Sequence, residues 1–266
     1  KTAEAIVPLT GTMQTAVLAL QAVMDRRIAF RLTIIVAGML LADDQRTASA
    51  WFVASGVQDD WARFYDCLIS IGRMSAKLAT VVLGLVVQRL TPGSRILMGL
   101  DDSPTTRYGK HVEGAGVHHN PTPGLADGEW LYGHNWVTLA KLATHPVWGV
   151  VALPLWSMLY VCKIDVPKLA EKYDWEFRTK HQLGVELLTW FMKAIRVLGV
   201  EAKVWLAVDG AYATRPFLKP TLALGSVVVS RLRKDAKRAG HREGWSTIIY
   251  LCRGVEGTRQ YKTFLA

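Results

Sequence analysis

The sequence predicts an α/β chain, with an all-helical N-terminal domain over residues 1–92 followed by a mixed sheet flanked by helices over 93–266. Two observations carry this. Apolar residues recur at three- and four-residue steps from 13 to 90, where glycine is sparse. After Thr91-Pro92-Gly93 the pattern changes to short β-branched runs separated by Gly and Pro. Half of the 266 residues are hydrophobic, enough for a sizeable core.

The elements follow in order. Val17, Leu20 and Met24, then Trp61, Phe64, Tyr65 and Leu68, then Leu78, Val82, Leu85 and Val86 mark the apolar stripes of four or five helices. Breaks are expected at Asp43-Asp44, Ser55-Gly56 and residues 70–73. Arg95 to Leu100 is an apolar run ending on Asp101-Asp102, as a buried strand would, and residues 103–128 then read as a long polar loop. Two strands are expected at 130–142 and 148–161, with Trp130, Trp136, Trp148 and Trp156 in the core. A helix is expected at 177–198, stopped by Gly199. A strand at 203–208 ends on Asp209, a short helix spans 215–224, and a third β-branched strand spans 226–230. The runs at 247–252 and 259–265 around Gly254-Val255-Glu256-Gly257 signal a hairpin within 246–266.

Composition narrows the function classes. A formal net charge of +10 favours polyanionic partners, since Lys and Arg that neutralise phosphates release counterions. Cys67, Cys162 and Cys252 are odd in number and widely spaced, which argues against a disulfide scaffold or a cysteine-rich zinc site and fits a reducing cytoplasm. The opening KTAEAIVPL carries neither Met nor a secretory signal, as a fragment would. The apolar stretches 32–42 and 147–162 are shorter than a bilayer span, and Pro154 interrupts the second. No membrane partner is expected.

The chemistry centres on two strands that end in aspartate. On spacing alone these residues fit two readings, as caps that begin turns or as a pair of carboxylates for divalent metal. Two-metal nucleases need such a pair to serve both the attacking and the leaving oxygen at phosphorus. His111, His118, His119 and His134 raise a zinc site, but no Cys or HExxH spacing supports it. A glycosidase acid and base is a further rival, opposed by the basic charge. No GxSxG elbow occurs.

The wording around the aspartates is more specific. LDDSPTTRYGK (100–110), VEGAGVHHNPTPG (112–124), YGHNWV (132–137), VDGAYA (208–213) and VVSRLRKD (228–235) resemble, in order, blocks of insertion-sequence transposases of the DDE superfamily. The leading domain, with DWARFY at 60–65, looks like that family's N-terminal domain. The resemblance implies an RNase H-like mixed five-stranded sheet, with the first acid on the first strand and the second after the fourth. Carried over, Asp101 is the first acid, because Ser103 fits an Asp-x-Ser/Thr offset; Asp102 is the fallback, and Asp209 is the second. The third acid is unknown: neither Glu243 nor Glu256 lies on a convincing helix, and the chain is expected to end before supplying the helix that carries it.

The resemblance further implies Mg²⁺ or Mn²⁺ as cofactor, DNA as partner (element ends and target), and a homodimer when DNA is bound. Phosphate contacts are expected from Arg107, Lys110, Arg215, Arg231, Arg233 and Lys234, the last three within a basic run continued by Lys237, Arg238, His241 and Arg242. Solvated surface charge is the competing reading of each, and Trp245 is a candidate to meet a base. The implied activity is metal-dependent cleavage at mobile-element ends with strand transfer, in the cytoplasm at the nucleoid. A catalytically inactive DNA-binding remnant is the alternative.

Overall fold

A computed structural model describes residues 11–43, 46–90, 93–109, 111–120, 123–124, 128–231, 248–253 and 259–262. The chain divides into two units, Lys1–Arg89 and Leu90–Ala266.

Every described element of the first unit is helical. Helices α1 (Gly11–Gln21), α2 (Arg26–Leu41), α3 (Ala48–Ala54), α4 (Trp61–Arg73) and α5 (Ser75–Leu90) follow in sequence, with a 3-10 turn at Gln58–Asp60. Caps set two of the starts. Asp25 accepts the Arg27 N–H at 2.8 Å, and Thr47 accepts that of Ala50 at 3.3 Å. The apolar stripes meet around Phe52, which is fully buried with Ile35, Phe64 and Cys67. Its ring lies 5.5 Å from Phe64 and 5.1 Å from Tyr65, at angles typical of aromatic pairs. The break expected at 70–73 falls at Met74 instead, because those residues complete the last turn of α4.

The second unit is built on a mixed, open sheet. Its strands are β1 (Arg95–Thr106), β2 (Gly116–His119), β3 (Trp130–His145), β4 (Gly149–Tyr160), β5 (Lys203–Val208), β6 (Val227–Arg231), β7 (Ile248–Arg253) and β8 (Arg259–Lys262). Among the described residues the sheet thus has eight strands rather than the five expected, because β2 and the pair β7–β8 add to it. The order is β2-β3-β1-β5-β6-β7-β8, with β4 also paired to β3. Strand β3 runs antiparallel to β1 and β4, whereas β1, β5, β6 and β7 are mutually parallel. The tail forms the expected antiparallel pair, β7 with β8. Pro154 is accommodated in β4 because the ladder bulges there: Leu139 faces Trp156 and Ala140 faces Pro154, leaving Leu155 over.

Three helices follow β4: α6 (Val166–Tyr173), α7 (Lys180–Val197) after it, and α8 (Arg215–Ala223) after β5. Among the described residues no single helix of the chain is long and apolar enough to cross a membrane. Helix α7 starts at a capping box, in which Thr179 and Gln182 satisfy each other's backbone N–H, and ends where Gly199 takes φ +68°. It buries Leu183, Leu187, Leu188, Phe191 and Ile195. At about 1.5–3 kcal/mol for each large side chain, this face dominates the unit's core. Helix α7 packs tightly at Gly184, where a Cβ would stand 2.7 Å from Leu100 Cδ2, 3.0 Å from Phe217 Cε2 and 3.5 Å from Tyr212 Cε1.

Three expectations are corrected. The apolar run ends at Leu100, but β1 continues through Ser103-Pro104-Thr105 to Thr106, because β3 goes on pairing with it. The segment 103–128 is therefore not one loop, since β2 also lies inside it. Trp130 and Trp148 are exposed, at the two ends of β3 and its hairpin, rather than in the core.

Candidate active site

The parallel pairing of β1 with β5 ends at Leu100 and Val208, so the next residues, Asp101 and Asp209, stand side by side across adjacent strands. Neighbouring strands are about 4.8 Å apart, which brings the two carboxyl groups close. Alternation along the strands sets their face. Ile96, Met98 and Leu100 of β1, and Val204, Leu206 and Val208 of β5, are buried on the side where α7 packs. Asp101 therefore points to the opposite face, and Asp209 stands next to it just past the end of β5, near enough for its charge to act on the Asp101 carboxyl.

The row extends to either side. Thr138 on β3 is the partner of Asp101, and Ser157 on β4 is the partner of Thr138; their hydroxyls are 2.8 Å apart. On the other side Ser230 pairs with Val208, which brings Arg231 level with Asp209. The Ser230 hydroxyl donates to the Asp209 carbonyl oxygen at 2.9 Å. Ser157, Thr138 and Asp101 thus form a polar row across three strands, continued by Asp209 and Arg231 at the ends of the next two. Thr138 and Ser157 were not singled out by the sequence. The available signal was a hydroxyl residue in each of two otherwise apolar runs, WVTLAKL and LPLWSMLY.

Asp102 is held on the other side. It accepts from Lys180 Nζ at 2.5 Å and, weakly, from the Tyr212 hydroxyl at 3.4 Å. The doublet is therefore divided between the faces: Asp102 is engaged on the helix side, and Asp101 is on the other. Burial pushes the Asp101 carboxyl above its usual range. The Asp102 N–H and the Lys180 charge oppose this, while the charges of Asp102 and Asp209 add to it. Such a group gains from a nearby cation. Asp209 Oδ1 accepts the N–H groups of Ala211 (2.9 Å) and Tyr212 (3.3 Å), so the residue also begins a turn, as the first of the two readings expects.

The other expected residues fall as follows. Arg107 is exposed, and its Nε donates to His134 Nδ1 at 3.1 Å, while His134 Nε2 donates to the Glu113 carbonyl at 2.8 Å. Glu113 in turn holds Lys172 and Tyr173 of α6, each at 2.6 Å. Arg107 thus helps fasten the segment after β1 as well as presenting charge. Arg215 is exposed at the first turn of α8. Lys110, Arg233, Lys234, Lys237, Arg238, His241, Arg242, Glu243, Trp245 and Glu256 lie outside the described residues.

His118 and His119 point to opposite sides of β2. The first is buried, with Nδ1 3.8 Å from Cys162 Sγ, and the second is exposed beside Glu129. Among the described residues no three His, Cys, Asp or Glu side chains converge in a way that would hold a metal ion. Asp101 and Asp209 supply two oxygen donors of the hard type that Mg²⁺ and Mn²⁺ prefer, which is a fit for part of such a site. Compared with known proteins, the chain matches no family model and no curated protein.

Proposed function

We propose that this chain is a DNA transposase of the DDE type, cutting DNA at the ends of a mobile element and joining the freed 3′ hydroxyls to target DNA. The observation that carries the reading is the level placement of Asp101 and Asp209, each one residue past the last pair of two adjacent parallel strands. The strand plan supports it as well. Setting aside the short β2, the first five strands of the sheet are β1, β3, β4, β5 and β6; the first acid lies on the first of them and the second acid follows the fourth. That is the arrangement an RNase H-like core calls for.

In this reading Asp101 and Asp209 would hold Mg²⁺ or Mn²⁺. When bound, divalent metal supplies activation of the attacking oxygen and stabilisation of the leaving oxygen in an in-line displacement. The chain's own residues bind and orient the DNA. Arg231, level with Asp209, and the exposed Arg215 neutralise phosphates flanking the scissile one. Thr138 and Ser157 offer hydroxyls to the backbone beside Asp101. Paired element ends call for a homodimer on DNA, and the charge of +10 suits work at the nucleoid.

The test is nicking of a supercoiled plasmid with Mg²⁺ or Mn²⁺, alongside DNA affinity measured across a salt titration. Metal-dependent nicking that disappears in both Asp101→Asn and Asp209→Asn supports the reading. Nicking that survives both substitutions sinks the assignment of the acids. Salt-dependent binding with no nicking under any condition points to the second reading, a DNA-binding remnant, and affinity indifferent to salt removes DNA from the account.

A further inference from the structure

We infer that Lys180 is a positioning residue for the candidate metal site, pinning Asp102 to the helix side of the sheet so that the Asp101-Asp102 doublet presents Asp101 alone to the opposite face. The inference rests on the metal-binding reading of Asp101 and Asp209. Its geometry is independent of that reading.

At the doublet, β1 is held on one side only. Its pairing with β5 stops at Leu100, whereas β3 continues to pair with it as far as Thr106. Pairing with β3 fixes which face each position takes, but with no neighbour on the β5 side the doublet's side chains and the strand end are less restrained. Lys180 restrains them from the α7 side. It sits in the first turn of α7, between the two members of the capping box, Thr179 and Gln182, so its backbone is fixed. Its ammonium bonds Asp102 Oδ2 at 2.5 Å and lies 5.3 Å over the ring of Tyr160, so aromatic and carboxylate together define its place. The lock reaches Asp101 through one peptide, because the Asp102 N–H donates to Asp101 Oδ1 at 2.8 Å.

Stability alone does not require this pair. A half-buried ion pair contributes little net stability relative to apolar side chains of the same volume, whereas orientation of a ligand is a use that an apolar pair cannot supply. The pair also sits where a cation is otherwise costly to the proposed chemistry, because a positive charge beside a metal site repels the metal. Lys180 therefore has to repay that repulsion through the order it imposes.

The two effects of Lys180 have opposite signs, and this makes the test decisive. Mn²⁺ binding to the full chain, without DNA, is followed by the paramagnetic resonance of free Mn²⁺. If Lys180 acts only through its charge, Lys180→Met binds Mn²⁺ more tightly than the wild type. If it positions the doublet, Lys180→Met binds about tenfold or more weakly, the usual cost of losing an outer partner of a metal ligand. Lys180→Arg then keeps wild-type affinity. Should Lys180→Met fail to fold, Lys180→Gln takes its place.

Affinity unchanged or tighter in Lys180→Met overturns the inference. A wild-type affinity indifferent to Asp101→Asn and Asp209→Asn overturns the metal reading itself. That result comes from different variants, so the two failures are distinguishable.

Discussion

Gly133→Ala should destabilise the sheet unit severely, and the reason lies in the backbone. Gly133 sits where three strands meet, paired with Thr106 of β1 on one side and Gly116 of β2 on the other. A Cβ at this position would overlap the Thr105 carbonyl oxygen and stand 2.9 Å from its carbon and 3.0 Å from Thr106 Cα. No side-chain rotation relieves such a clash, so β1 must move away from β3. The bonds at risk are those of Thr105 and Thr106 with β3 and the 3.0 Å bond from the Arg107 N–H to the Tyr132 carbonyl. At about 1 kcal/mol net for each backbone bond, the loss comes to roughly 2–4 kcal/mol. For a domain of this size that lowers the melting temperature by about 5–15 °C. The assay is thermal unfolding followed by tryptophan fluorescence, with Gly84→Ala as the control. Gly84 lies inside α5 with nothing within 4 Å of an added Cβ, so alanine there should stabilise its unit by about 0.5–1 kcal/mol. A Gly133→Ala protein that melts within a degree or two of the wild type would refute the argument, because it would mean that the β1–β3 approach is not constrained.

Further outcomes are expected. Burial holds the His118 imidazole below its ordinary value of 6.5, so the folded chain disfavours its proton. Its contribution to stability is present above pH 6.5 and is lost as pH falls through the lowered folded value; His118→Asn should flatten denaturation midpoints measured between pH 7.5 and 5. Asp101→Asn keeps the acceptor for the Asp102 N–H and removes a carboxylate whose charge is disfavoured by burial and by Asp102 and Asp209. It should melt above the wild type at pH 7 in chelator, and a lower melting point would contradict the crowding of charge. Phe217→Ala empties a fully buried site against α7 and should cost about 3–5 kcal/mol in urea denaturation.

Much of the fold was legible because local pattern and tertiary need agree. The strand at 203–208 appears as Lys203–Val208 and the helix at 177–198 as Lys180–Val197, since each is an uninterrupted apolar period with its own cap or stop. Legibility failed where pairing overrides composition. Ser103-Pro104-Thr105-Thr106 reads as a loop, yet it is strand because β3 supplies its partners. The short β2 and helix α6 escape the pattern because they span only four and eight residues, and α6 buries Leu169 alone. Of the candidate site, the two acids could be read from their place after apolar runs. Three features could not: the division of the doublet, the role of Lys180 in that division, and the hydroxyls of Thr138 and Ser157. Each depends on register or on contacts between residues 19 to 78 positions apart.

The close approach at Gly184 bears on how the two acids move. Leu100 immediately precedes Asp101, and Tyr212 lies three residues beyond Asp209; both reach the same point on α7. A small shift of this helix would push on both strand ends together and translate the carboxylates as a pair. Under the proposed metal reading, their spacing is the quantity a shared ion would sense most keenly. A side chain at position 184 would add a wedge that bears unequally on the two, at 2.7 Å on Leu100 and 3.5 Å on Tyr212, and would convert joint displacement into separation.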